Sequence, residues 1–242
     1  MPNRRLNLLV AESEPGEARD QRRESVGRSS GETYEAVLAH IALGADIQRI
    51  KPVDTPGEIP DAAGLADFDG VFLTGSPLHL YKETPETRRV VEFMCAVFDA
   101  GVPAFGSCAG LQVATVAAGG SVRPMGERRE AGFARRIFPT EAGRSHPLLR
   151  GRPPAFDAPA IHSDEVAALP DGALRLASNA TTEVQAAEIR CGDGVFWGVQ
   201  YHPEISLFEA AAALLGWGVL LQLPHGPHSQ RRLRLLLAVL LP

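Results

Sequence analysis

Cys108 stands in the run Gly106-Ser107-Cys108-Ala109-Gly110, directly after the short apolar stretch 102–105. A strand ending at Gly106 and a helix beginning just past the cysteine would lift the thiol onto a sharp turn, which small residues on both sides permit. At a helix N-terminus the partial positive charge favours thiolate, the form that attacks a carbonyl carbon. By itself this pattern fits a buried structural cysteine in a glycine-rich turn equally well. A second apolar run, 195–199, leads into Gln200-Tyr201-His202-Pro203-Glu204. His202 lies 94 positions beyond Cys108, so the two meet only through the fold. An imidazole beside a thiol acts as general base and acid, and a carboxylate at Glu204 would orient the ring and stabilise its charged form. Pro203 stiffens the turn between them by fixing φ. A lone His next to a Glu is more often a surface pair; joined to the cysteine turn, it reads as a Cys-His-Glu triad.

Such a triad needs strands that end side by side. Residues 6–10, 46–50, 70–74 and 102–105 read as strands, and 32–43, 85–100 and 111–118 as helices. In 85–100, Val90, Val91, Met94, Val97 and Phe98 form one apolar stripe. Alternating strands and helices predict βαβ units and a mostly parallel sheet covered on both faces, an α/β flavodoxin-like three-layer sandwich. Beyond Gly119-Gly120 the pattern changes to strand-like runs at 134–138, 155–161, 173–177, 185–189 and 195–199, joined by tight turns. These predict an antiparallel extension of the same sheet. Residues 1–209 are thus expected to form one domain, and 210–242 an atypical tail that is apolar and basic and lacks Asp and Glu. The tail reads as a packing helix with an irregular end, its apolar runs too short to span a membrane. Residues 12–30 are polar, with Arg19, Arg22, Arg23 and Arg28 close together. They read as a solvated surface loop, or as a substrate or partner loop.

The composition excludes other classes. A net charge of -5 and a pI near 5.8 argue against nucleic acid as a partner. Three cysteines, Cys95, Cys108 and Cys191, are too few and too uneven for a disulfide framework. With no signal-peptide pattern at the N-terminus, a cytoplasmic protein without a transmembrane span is expected. His79, His146, His162 and His202 are scattered and have no metal-ligand spacing, so neither a metal nor a cofactor is expected.

Five segments together resemble the class I glutamine amidotransferases, and most of all the stand-alone relatives of the GMP synthetase glutaminase domain. They are Gly106 to Gln112, Gln200 to Glu204, Leu73-Thr74-Gly75-Ser76-Pro77, Glu130-Ala131-Gly132-Phe133, and Ile161-His162-Ser163-Asp164-Glu165-Val166. The resemblance implies L-glutamine as substrate, with Cys108 as nucleophile, His202 as acid and base, and Glu204 as its orienting partner. It implies an oxyanion hole from the backbone N–H groups of Gly75 and Ala109, and a glutamine site lined by Gln112 with His162 and Ser163. It also implies a γ-glutamyl thioester and ammonia passed to a separate synthetase or acceptor enzyme. Ser76 replaces a glycine of the family's oxyanion loop, and Ile161 a serine of its substrate segment. Two other readings use the same fold: a γ-glutamyl hydrolase acting on a larger γ-glutamyl amide, set apart by pocket width around Gln112, Tyr81 and His162, and a non-catalytic partner protein.

Overall fold

The computed structural model describes residues 4–54, 59–127 and 129–216. In the first half, β1 (Asn7–Ala11), β2 (Asp46–Ile50), β3 (Gly70–Leu73) and β4 (Ala104–Ser107) alternate with helices. The helices are α1 (Gly16–Val26), α2 (Ser30–Ile41), α3 (Ala62–Ala66), α4 (Pro85–Asp99) and, after β4, α5 (Ala109–Ala117). The second half consists of β5 (Ser121–Pro124), β6 (Glu130–Pro139), β7 (Phe156–His162), β8 (Asp164–Ala168), β9 (Leu174–Ser178), β10 (Ala186–Cys191) and β11 (Gly194–Val199). A short α6 (Glu141–Ser145) interrupts these strands, and α7 (Leu207–Gly216) follows them.

Side-chain alternation along β1 explains the layers. Leu9 and Ala11 join a large core with Leu73, Val90, Phe93, Met94, Val97, Phe98 and Leu111, whereas Leu8 and Val10 pack with Tyr34 and Leu38 of α2 on the other face. A strand buried on both faces reads as a continuous apolar run, and Leu8 to Ala11 is one. The stripe on α4 is buried as expected at Val90, Met94, Val97 and Phe98, with Phe93 added and Val91 only partly covered.

Nine strands form one sheet in the order β2-β1-β3-β4-β11-β10-β9-β6-β7. The first five run parallel; β10, β9, β6 and β7 continue the sheet antiparallel. The extension anticipated from the second half is therefore part of the same sheet. Two strands absent from the sequence reading, β5 and β8, pair with each other in a separate small sheet.

Residues 12–30 are corrected. They are not a solvated loop: α1 occupies most of the segment and ends at Gly27, whose φ of 88° is the left-handed closing residue many helices use. Periodicity missed α1 because its buried residues are only Arg19 and Val26. Polar contacts anchor the helix instead. Arg19 donates to the Glu14 carbonyl at 2.5 Å and pairs with Asp54, and Arg23 pairs with Glu32 at 2.8 Å. The same stretch caps α2. Ser29 and Glu32 form a capping box, and the N–H groups of Ser30 and Gly31 donate to Glu14 and Glu12 at 3.0 and 2.8 Å, putting carboxylates at the positive end of α2.

α7 crosses residue 210, where the tail was expected to begin, and residues 217–242 lie outside the described residues. Among the described residues no helix is long and apolar enough to cross a membrane.

Candidate active site

β4 extends to Ser107, one residue past the Gly106 at which the strand is expected to end, and this extension joins the two motifs. β11 lies beside β4 with Val199 opposite Ser107, and the Cys108 N–H donates to the Val199 carbonyl at 2.8 Å. The chain thus leaves β4 into Cys108 and leaves β11 toward His202 at neighbouring points on one edge of the sheet. This is the carboxyl edge, where open α/β sheets place their ligand sites. On the other side of β4, β3 is in register with Leu73 opposite Gly106 and delivers Thr74 and Gly75 to the same edge.

Cys108 adopts φ 52° and ψ -111° between β4 and α5. Such a conformation costs a non-glycine residue about 1–3 kcal/mol and persists only where its surroundings enforce it. Here the surroundings are tight. A Cβ at Gly106 would lie 2.9 Å from the Leu73 carbonyl oxygen, and one at Gly110 would lie 2.5 Å from it. The glycines let α5 press against the end of β3. Gly110→Ala is accordingly expected to destabilise the fold by about 1–3 kcal/mol through overpacking, despite the better helix propensity of alanine. Urea unfolding measures this; an unchanged midpoint would show that α5 moves aside at no cost.

His202 and Glu204 meet at 2.8 Å between Nδ1 and Oε1. Glu204 Oε1 also accepts from the Ser107 hydroxyl at 2.8 Å, and Ser107 accepts from the Tyr34 hydroxyl at 2.8 Å. Burial, reinforced by the negative charge of Glu204, pushes the Tyr34 phenol well above its usual range, so it stays a donor. Burial works against a charged His202 ring, but the negative charges of Glu204 and of a Cys108 thiolate, with hydrogen bonds to both, outweigh it. The imidazole is raised to about 10. Gly75 permits this packing, because a Cβ there would sit 2.9 Å from His202 Cε1. Ala109 is the first residue of α5, so its N–H has no acceptor within the helix.

Gln112, His162 and Ser163 gather with Cys108 around a cavity that His202 does not line. The Gln112 side-chain amide donates to the Asp164 carbonyl at 3.0 Å and to Gln200 Oε1 at 3.2 Å. His162 Nδ1 lies 3.0 Å from the Asp164 carbonyl, and Nε2 lies 2.8 Å from Glu130 Oε2. Glu130 is buried, which alone would raise its carboxyl. Hydrogen bonds from His162, Asn179 and Gln185 outweigh burial and hold it below the usual range. His162 is therefore clamped by protein groups, whereas Ser163 is exposed. Among the described residues no group of three or more His, Cys, Asp or Glu side chains is arranged to hold a metal ion.

Two cavities open on Cys108 and share Ser76, Pro77 and Ile161 as a common wall. One, of about 180 Å³, is lined by Gly75, His202 and Glu204 together with Glu14 and a face of α1. The other, of about 370 Å³, is lined by Gln112, His162, Ser163, Asp164, Arg129 and His79, with His79 bonded to Asp164 at 2.6 Å. Sequence reasoning missed Tyr34 and Ser107 behind Glu204, and it quoted Glu130 only as part of a family-like segment, without its link to His162. The reading of residues 12–30 as a substrate or partner loop fits the α1 residues that line the first cavity, although they do so from a helix.

A family model described as glutamine amidotransferase class-I matches residues 30–220. The chain is 36% identical over 213 residues to a γ-glutamyl-L-1-hydroxyisopropylamide hydrolase of a Pseudomonas species, covering 87% of this chain and 71% of that one. It is 34% identical over 149 residues to one component chain of the glutamine-hydrolysing GMP synthase of Methanoculleus marisnigri, covering 62% of this chain and 72% of that one. Of a larger glutamine-hydrolysing GMP synthase that it also matches, it spans 32% of the length. Its fold resembles the crystal structure of a glutamine amidotransferase from Thermotoga maritima, with a TM-score of 0.69 at 18% identity over 91% of this chain and 85% of that one.

Proposed function

This chain belongs to the class-I glutamine amidotransferase family, and we propose that it hydrolyses a γ-glutamyl amide, of which L-glutamine is the simplest, through a Cys108 thioester. The observation that carries the reading is the strained Cys108 turn facing the hydrogen-bonded His202–Glu204 pair between two cavities. In the proposed reaction the Cys108 thiolate attacks the amide carbon, and the oxyanion takes hydrogen bonds from the N–H groups of Gly75 and Ala109. The His202 imidazolium gives its proton to the departing nitrogen as the C–N bond breaks, leaving a γ-glutamyl thioester. His202 then removes a proton from water, which displaces the thiolate and releases glutamate. Gln112, His162 and Ser163 line the side that receives the γ-glutamyl group.

Two readings of the leaving group have support. Similarity to a component of a glutamine-hydrolysing GMP synthase favours ammonia, delivered to a separate synthetase. The longer match, to a hydrolase of an N-substituted γ-glutamyl amide, favours an amine released as product without any acceptor. Glutamate release by the purified chain from L-glutamine and from N-alkyl γ-glutamyl amides tests both, with labelling of Cys108 by a glutamine-analogue electrophile. Turnover is expected with at least one substrate. Labelling without turnover of any substrate would favour the partner-dependent amidotransferase. The absence of both turnover and labelling would overturn amide hydrolysis altogether.

A further inference from the structure

Of the two cavities that open on Cys108, the smaller touches His202 and the larger does not. A general acid must come within hydrogen-bond reach of the atom it protonates. The leaving nitrogen therefore departs on the His202 side, and whatever is attached to it extends into the smaller cavity. Ammonia fills about the 30 Å³ of a water molecule, whereas this cavity holds about 180 Å³, which leaves room for a substituent of several atoms.

α1 presents one cation to this space. Arg19, Arg22 and Arg23 all lie on the helix, and two of them have carboxylate partners: Arg19 pairs with Asp54, and Arg23 with Glu32 at 2.8 Å and Asp20 at 3.3 Å. Arg22 instead lines the cavity, one helical turn after Ala18 and one before Val26. Among the described residues its guanidinium makes no hydrogen bond and no ion pair, and its Nε is closed off from solvent. A guanidinium keeps its charge throughout the working pH range, and its donors form a fork that matches a carboxylate. Glu14 is the other ionisable residue of the lining outside the triad. Burial pushes its carboxyl up, toward the neutral form, and the charge it keeps faces the N-terminus of α2, where it accepts the Ser30 N–H at 3.0 Å. The uncommitted charge in the cavity is therefore positive.

We propose that Arg22 docks a carboxylate carried by the leaving group, and that the preferred substrates are γ-glutamyl amides of small amino acids. In such a substrate one or two carbons separate the carboxylate from the scissile nitrogen, so it travels with the nitrogen into the cavity. Its carbon atoms meet the apolar wall of Ala18, Val26 and Ile205. A neutral substituent fills the same space but leaves the guanidinium unpaired, whereas a carboxylate supplies the charge-assisted hydrogen bonds it lacks. This rests on the amide hydrolysis proposed above and narrows its substrate class. The balance of atoms is unchanged: the C–N bond breaks, the nitrogen takes the His202 proton, and the free amino acid leaves through the α1 cavity. Water then releases glutamate from the Cys108 thioester.

The test compares glutamate release from L-glutamine, γ-L-glutamylglycine and γ-L-glutamyl-β-alanine, and from the last two with their terminal carboxylate converted to the neutral carboxamide. Each acid and its carboxamide have nearly the same shape, so their ratio reads charge alone. In the wild type, kcat/KM for the acid is expected to exceed that for its carboxamide at least tenfold at one or both chain lengths. Arg22→Met is expected to bring that ratio to about one, and Arg22→Lys, which keeps the charge without the fork, to retain part of it. Should Arg22→Met fail to fold, Arg22→Gln gives the same readout. A wild-type ratio at or below one at both chain lengths overturns the subsite while leaving glutamine hydrolysis standing. So does an Arg22→Met variant that folds and slows all five substrates equally, because Arg22 would then serve the α-carboxylate that every γ-glutamyl group carries. Labelling of Cys108 without turnover of any substrate overturns the subsite and leaves the partner-dependent amidotransferase. No release from any substrate, with Cys108 unlabelled, overturns amide hydrolysis and the subsite with it.

Discussion

Cys108→Ala is expected to lower glutamate release by about 10⁴- to 10⁶-fold, the range found when a covalent nucleophile is removed from a triad. The fold should survive. The side chain is buried and loses only its sulfur, and what enforces the turn is the packing of Gly106 and Gly110 under the Leu73 carbonyl. Alanine must still adopt φ near 52°, so the substitution neither relieves nor adds backbone strain. Thermal unfolding within a few degrees of the wild type would separate chemistry from folding. The variant should also lose electrophile labelling, because neither Cys95 nor Cys191 lines the cavities at this edge. Residual turnover above one hundredth of the wild-type rate would exclude Cys108 as the nucleophile. In that event the strained turn would need an explanation outside catalysis.

Legibility in the sequence follows the range of the interactions involved. The parallel strands are legible because each buries both faces and shows as an unbroken apolar run, as in Leu8 to Ala11. The Cys108 and His202 segments are legible because each turn is written in adjacent residues. α1 is not, since what holds it is an arginine reaching Asp54, 35 positions away, rather than an apolar stripe. β8 is not, because the charged Asp164 and Glu165 leave no apolar run at its start. Both are buried, with Glu165 paired to Arg123 and Asp164 to His79. Tyr34 has no local signature either: its link to Ser107 spans 73 positions. Glu130 draws its partners from His162, Asn179, Thr182 and Gln185, residues that only the finished sheet brings together.

Those long-range contacts give the second large effect. Glu204→Gln is expected to lower kcat by about 10²- to 10⁴-fold and to move the alkaline limit of activity downward. Glu204 Oε1 accepts from Ser107 and faces His202 Nδ1, while Oε2 is buried without a hydrogen-bond partner among the described residues. A glutamine there has two orientations, both poor. With its oxygen toward His202, the amide nitrogen occupies the buried site of Oε2 and has no acceptor. With its nitrogen toward His202, Nδ1 must accept, the ring carries its proton on Nε2, and it cannot take one from the thiol. The charge on Glu204 fixes the direction of the pH effect. His202 is raised from 6.5 to about 10 because Glu204 and Cys108 outweigh burial, and removing one of those charges lets burial draw the ring back down. Protonation of the leaving nitrogen needs the imidazolium, so the wild-type rate should persist until pH approaches about 10, and the variant's should decline at lower pH. Stability obeys the same sign. A group raised in the folded state stabilises fully below its unfolded value of 6.5 and loses that contribution as pH climbs toward 10, so the stability gap between wild type and variant should narrow over that interval. A variant with an unshifted alkaline limb would mean that Glu204 positions the ring without setting its charge. Tyr34→Phe would then separate the two roles, since it leaves the carboxylate in place and removes only the hydrogen bond that holds Ser107 against it.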